Sequence, residues 1–255
     1  GLQDAAVHAQ TGHDAFFMGE MRRFGIWYFY PVLLLIKTPI AFLLLTVAGV
    51  IGLIEKTRRS ESWQPLVPVL MAGMILLVVL PTTINIGIRH ILIIYPLLAL
   101  IAGSGVSFLW LLPRGRAVGR ISVIVLMIWY MGVSAAAHPD YLAYFNRIPG
   151  DRPEQWVVGS GLDWGQDLYR LSRELKERQI PRLSLAYFGT ADPPWFDFPP
   201  IRPVTPGVPV TGWVAASVSL LQNDTLEEDH FGWLKTLVPV QIVGKSIYLY
   251  HIPEE

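Results

Sequence analysis

The chain has 255 residues, of which 52% are hydrophobic and only 16% charged, with 20 basic and 20 acidic side chains and no cysteine. A formal net charge of zero leaves no electrostatic footprint for nucleic acid. The lack of any thiol excludes disulfides, thiolate metal sites and cysteine nucleophiles.

The charged fraction falls below the roughly 25% usual in soluble domains, and it is unevenly placed. Residues 26–137 are strongly apolar, whereas 138–255 hold 10 Lys/Arg and 15 Asp/Glu. Three parts are expected: an outer-face loop segment over 1–25, transmembrane helices over 26–137 and a small extracytoplasmic α/β domain over 138–255. The chain opens on Gly1, with no basic n-region and no cleavage site. It therefore reads as the C-terminal piece of a longer protein rather than one with a signal peptide.

In the first part, 12-GHDAFFMGE-20 offers His13, Asp14 and Glu20 as polar tips of an outer loop. A plain re-entrant or surface loop is the preferred account of them. The first apolar segment follows from about Ile26 to Ile54, and Lys37-Thr38-Pro39 interrupts it. Proline removes a donor and kinks a helix, so 27-WYFYPVLLLI-36 is expected to lie in the interface, with a span starting near Thr38. Further segments run over about 65–80, 91–112 and 119–137. A span needs roughly 20 apolar residues, so the second is short, and Pro65, Pro68 and Pro81 blur its ends.

The loops 55-EKTRRSES-62 and 113-PRGRAVGR-120 each carry three basic residues, and 81-PTTINIGIRH-90 carries one. Basic loops stay cytoplasmic. That orientation places the first and third loops inside, and residues 138–255 outside. Arg22-Arg23 run mildly against it.

Beyond 138-HPD-140 the pattern predicts a strand at 155–160, a helix from 164 to 178 and a strand at 182–189. A proline-rich surface loop over 192–209, a strand at 212–221, a short helix at 227–237 and a hairpin at 239–252 turning at Gly244-Lys245 follow. Together they make a small parallel or mixed sheet with an antiparallel edge. In 158-VGSGLDWGQDLYRL-171, Asp163 and Gln166 have the spacing of a capping box. Asp163 and Asp167 both suit a helix N-terminus. A helix start explains most of this stretch, including Trp164. An anion site or a carboxylate pair for acid–base work is the competing reading.

The six histidines show no paired metal-ligand spacing, and there is no P-loop, complete GxGxxG or GxSxG motif. In the proline-rich loop, Trp195, Phe196 and Phe198 could stack on a sugar or pack the loop down.

Three stretches occur in order: 139-PDYLAYFNRIPG-150, 161-GLDWGQDL-168 and 186-AYFGTADP-193. They resemble the C-terminal region of bacterial membrane glycosyltransferases related to family 39. This group is similar to protein O-mannosyltransferases and lipid A aminoarabinose transferases. The stretches 30-YPVLLLIKTP-39 and 85-NIGIRHILIIYP-96 look like that family's later spans. The chain departs from the family at Gly161, where an asparagine is usual.

The resemblance implies a GT-C helical bundle that takes a sugar from a polyprenyl-phosphate carrier and passes it to a protein, lipid or glycan acceptor at the outer face. It also implies a main catalytic acid upstream of this chain, where no position matches. Relatives of this class differ in metal use, so a divalent ion stays open and no other cofactor is expected. An ammonium inside an apolar run is costly, which makes Lys37 a candidate for the carrier phosphate, with snorkelling as the alternative. Arg89 and His90 are expected to open the third span and make a second phosphate contact. The reading from another class is a four-span anchor carrying an extracytoplasmic ligand-binding or interaction domain, with no enzymatic activity.

Overall fold

The computed structural model describes residues 15–22, 25–113, 115–222 and 230–253, so His13 and Asp14 lie outside the described residues. About half of it is helical, with a small sheet region. It divides into a helical unit over 25–151 and an α/β unit formed by 15–22 with 152–253. Residues 138–151 thus fold with the helices, and Glu20 folds with the α/β unit.

The helical unit holds α1 (Phe29–Lys37), α2 (Ile40–Ser60), α3 (Val67–Val79), α4 (Ile94–Trp110) and α5 (Arg116–Ala136). The expected interfacial piece is itself a helix, α1. Thr38 takes the extended conformation that a following proline imposes, and this separates α1 from α2. The first loop is shorter than its charges implied, because α2 continues through Glu55, Lys56, Arg58 and Arg59. Basic side chains suit a helix C-terminus, and the Glu55–Arg59 ion pair is correctly spaced to support the last turns.

Among the described residues, α2 and α5 are long and apolar enough to cross a membrane, with mean hydropathies of 1.9 and 1.7. Only 22% and 11% of their apolar windows are buried, unlike the core helix of a soluble domain. The helices of the second and third segments, Gln64–Val79 and Ile94–Trp110, are shorter.

Helices α2 and α4 run parallel, in contact through small residues. A Cβ placed on Gly49 would overlap the Ile101 carbonyl, and one on Gly105 would overlap the Leu45 carbonyl. On α2 the buried positions Ala41, Leu45, Gly49 and Leu53 recur every fourth residue. Backbones approach this closely where the contact has no side chain to hold them apart.

In the α/β unit, β1 (Ala15–Phe17) and β2 (Glu20–Arg22) form a hairpin, and Phe17 bridges to Val157. Then come α6 (Leu168–Glu177), β3 (Leu183–Ala186), β4 (Ile201–Pro203) and β5 (Gly212–Ser217). They are followed by α7 (Val218–Gln222), α8 (Gly232–Lys235), β6 (Gln241–Val243) and β7 (Ile247–Ile252).

The five-stranded sheet has the order β4-β3-β5-β7-β6, parallel across β4-β3-β5 and antiparallel across β5-β7-β6. Period-two alternation sends Leu183, Leu185 and Leu249 to the face covered by Leu168, Leu171 and Leu175 of α6. Ala186, Val214 and Tyr250 face the other way, toward Leu221, Phe231 and Leu234.

Several predicted elements shift. Residues 155–160 are no strand: Pro153–Gln155 and Gly159–Gly161 are 3-10 turns, and between them Val157 makes only an isolated bridge. Pro153 and Gly159, at φ +58°, favour turns over a ladder. The helix starts at Leu168, not 164, and Trp164 lies outside it, 40% exposed. The 192–209 loop contains β4, paired to β3. The strand at 212 ends at Ser217, and its last residues turn into α7. Of the helix predicted over 227–237, Gly232–Lys235 is helical, and 223–229 lies outside the described residues.

Candidate functional site

Two polar clusters merit description, one in each unit. In the helical unit, the segment after α5 docks on the C-terminal end of α1. Asn146 donates through Nδ2 to the Leu35 carbonyl at 2.7 Å and the Thr38 carbonyl at 2.9 Å, while its backbone amide donates to Ile36 at 2.9 Å. A helix end leaves carbonyls without intrahelical partners, and one buried asparagine serves several of them.

Lys37 belongs to the same joint. Its Nζ donates to the carbonyls of Leu142 at 2.8 Å and Tyr144 at 2.9 Å, and it lies 3.9 Å from the centroid of the Phe145 ring. The side chain is buried. In this structure the ammonium is turned into the protein rather than offered to a phosphate, and it has not snorkelled to a surface. The cost of its charge is offset by two carbonyls and a ring face.

At the other end of α1, the Ile26 amide donates to Asn85 Oδ1 at 2.7 Å, and the Tyr30 hydroxyl donates to the Ile84 carbonyl at 2.6 Å. These bonds fix the 84–91 segment. Arg89 and His90 lie there on a 3-10 turn, Ile88–Ile91, ahead of α4 rather than in its first turn. Ile91 is buried and anchors the turn, whereas both polar side chains are exposed, with Arg89 Nε 3.5 Å from His90 Nε2. Partial enclosure and then the neighbouring guanidinium push the His90 pKa down. Arg89 therefore supplies the lasting positive charge of this pair.

The second cluster is the 161–168 motif, and no capping box forms there. Asp163 Oδ1 accepts from the Gly165 amide at 3.0 Å, a local turn. Gln166 folds back on the same turn: its Oε1 accepts from the Trp164 amide at 2.8 Å and its Nε2 donates to the Leu162 carbonyl at 2.9 Å. Asp167 occupies the N-cap position without capping. Its carboxylate instead reaches the β6–β7 turn, where Oδ2 accepts from Lys245 N at 2.9 Å, Ser246 N at 3.1 Å and Ser246 Oγ at 2.8 Å. Arg170 pairs with its other oxygen at 2.8 Å. Gly244 has φ +61°, and a Cβ there would overlap the Asp167 carboxylate, so glycine is required at that turn.

Asp163 is wholly buried, and its Oδ2 makes no hydrogen bond of ordinary geometry. The Ser217 and Ser219 hydroxyls and the Ser219 amide lie near enough to favour the anion, but burial outweighs them and holds the carboxyl above the usual range. Tyr187 packs its phenol between Gly165 and Gly189, and burial raises that group too. An acid this enclosed touches no solvent, so its chemistry here is internal.

The predicted residues therefore separate. Arg89 and His90 stand together and outward, Lys37 is a joint, and Asp163, Gln166 and Asp167 knit the α/β unit. Glu20 is exposed on β2 and pairs with Arg22 at 2.7 Å. In the proline-rich loop, Phe196 and Phe198 pack on the core, whereas Trp195 is 86% exposed. Beside the hairpin, a groove of about 580 Å³ is lined by Phe16, Met18, Met21, Gln155, Trp156 and Lys235, among others. Among the described residues no three His, Asp or Glu side chains converge as a metal site.

Sequence reading missed Asn146, Asn85, Tyr187 and the two serines. A lone asparagine within 143-AYFN-146, flanked by apolar residues, was the available signal for the first. Comparison of the chain with known protein families, with curated proteins and with solved structures yields no match.

Proposed function

We propose that this chain is the C-terminal part of a membrane glycosyltransferase of GT-C type. In this reading it moves a sugar from a polyprenyl-phosphate donor to a protein, lipid or glycan acceptor at the outer face of the cytoplasmic membrane. Four spans, near 40–60, 64–80, 94–110 and 116–136, carry it, and the α/β unit lies outside. Its support is the resemblance of the 139–150, 161–168 and 186–193 stretches, together with a helical unit whose bulky aliphatics face outward.

The observation that carries the donor site is the exposed Arg89–His90 turn. It lies at the end of α4 opposite the basic loops, where positive charge is unusual in a membrane protein. A guanidinium there can fork onto a lipid phosphate. Lys37 then acts by positioning, holding α1 beneath the site. The groove beside Trp156 supplies aromatic and amide surface for the acceptor.

The test uses membranes containing the full-length polypeptide, incubated with labelled polyprenyl-phosphate sugar. Transfer is expected, and Arg89→Ala should weaken donor use about 10- to 100-fold, matching about 1.5–3 kcal/mol for a hydrogen bond to a charged group. Absence of any transfer from the lipid donor would favour the four-span anchor with a ligand-binding outer domain. One observation already leans that way: Lys37 is engaged by carbonyls.

A further inference from the structure

The end of the helical unit that carries the basic loops holds a cleft that the transfer reaction does not use. Helices α2 and α4 touch most closely at Gly49 and Gly105, and a Cβ on Gly52 would come within 2.7 Å of Phe108 Cβ. Packed helices cross at an angle, so they separate beyond their closest point. Past Gly52 they open a cleft of about 1050 Å³.

Its lining is graded. Gly52, Leu53 and Phe108 form the apolar floor, Ser104 and Ser107 lie along α4, and Glu55, Lys56 and Arg59 stand toward the end of α2. From Gly52 to Ser60 the helix rises about 12 Å. Both serines bond back to their own helix, to the Leu100 and Gly103 carbonyls, so an apolar chain can pass them without stranding a donor. Glu55 and Arg59 pair with each other, which leaves the ammonium of Lys56, exposed at the mouth, as the excess charge.

We infer that this cleft binds an anionic phospholipid of the cytoplasmic leaflet. One acyl chain lies on the Leu53–Phe108 floor, and the phosphate meets Lys56, with the Glu55-paired Arg59 beside it. The inference rests on the membrane orientation proposed above but not on the transfer activity. Three features argue for a lipid: an apolar floor, a cationic mouth, and the place of that mouth at the end of the unit that carries the basic loops. Basic pockets between spans on the cytoplasmic side are recognised by lipid phosphate in just this way, with each cation near the surface worth about 1 kcal/mol.

The experiment takes the full-length polypeptide in nanodiscs and in neutral detergent, and counts retained lipids by native mass spectrometry. Phosphatidylglycerol is titrated against phosphatidylcholine. One phosphatidylglycerol should be held in preference to phosphatidylcholine. Lys56→Gln with Arg59→Gln should weaken that retention about tenfold or more, while Arg202→Gln, an exposed arginine on β4, leaves it unchanged. Ser107→Leu, which narrows the cleft without altering charge, should also lower it. Equal retention of both lipids, or retention unaffected by these variants, would overturn the proposal. So would a cysteine pair crosslinking the cleft to another helix of the same polypeptide, which would show that protein fills it. Failure of the membrane reading is seen separately, as extraction of the protein by alkaline carbonate. Failure of the transfer reading leaves lipid retention intact.

Discussion

Helices α2 and α4 approach most closely at Gly49 and Gly105, with Leu45, Leu53, Leu98 and Ile101 buried around them, while Val47, Ile51 and Leu100 on the same helices are more than half exposed. In α6 the leucines at 168, 171 and 175 are all buried, and charged side chains cover the other face. Under the membrane reading proposed above, these two surfaces obey one rule in two solvents. Water drives bulky apolar groups inward, so a helix in water hides its leucines. In that membrane reading, lipid offers no such drive, so glycines let the two backbones approach and aliphatics elsewhere on the helices face out. An apolar run finds α2 and α4 and amphipathic periodicity finds α6, but only the contacts show which residues each helix buries.

The comparison breaks first in the α/β unit if its polar clasp is dispensable. Asp167→Ala removes the acceptor for two backbone amides and a hydroxyl, and the carboxylate that Arg170 contacts. Each buried donor left without its acceptor costs about 1–3 kcal/mol, and the partly exposed arginine adds less. Hydrogen exchange across 241–252 should rise sharply while α2 stays protected. Wild-type protection in that hairpin would mean the carboxylate contributes little.

In the helical unit the largest effect belongs to a glycine. Gly105→Leu must push α4 off α2, since even a Cβ overlaps the Leu45 carbonyl. Overpacking costs about 1–3 kcal/mol, and a backbone contact belongs at the upper end. Val47→Ala, on the outward face, should change stability in micelles by less than about 0.5 kcal/mol. If the two variants unfold alike, the inverted packing argument fails. A smaller loss is expected for Asn146→Ala, which leaves the Leu35 and Thr38 carbonyls short of a donor. About 2 kcal/mol follows from one to three per stranded group, and protease cleavage within 138–150 would report it.

The limits of the sequence follow the same division. Apolar runs announce helices, so α2 through α5 were legible, and prolines marked the break at Thr38. The mixed sheet and its hairpin at Gly244 were legible from alternation and turn chemistry. The 161–168 motif was legible as a boundary but not as a clasp. The partners of Asp167 lie 78 and 79 residues away, and no local spacing encodes them. The partners of Lys37 are equally remote: the carbonyls of Leu142 and Tyr144 lie more than 100 residues on, and no local spacing encodes them.

The last predicted effect concerns Asp163, a carboxyl whose burial opposes its charge. Burial sets its folded pKa above the unfolded one. Below the unfolded pKa both states hold the proton, and the enclosed carboxyl costs nothing extra. As pH rises through the unfolded pKa toward the folded one, only the unfolded chain gives up its proton. Stability therefore falls across that window, by about 1.4 kcal/mol for each unit between the two values. Asp163→Asn removes the titration and keeps an oxygen for the Gly165 amide. Melting temperatures between pH 3.5 and 7.5 should match near the acid end, with the variant holding steady as the wild type declines. A variant that loses ground as pH rises would mean that Ser217 and Ser219 favour the anion more strongly than burial opposes it.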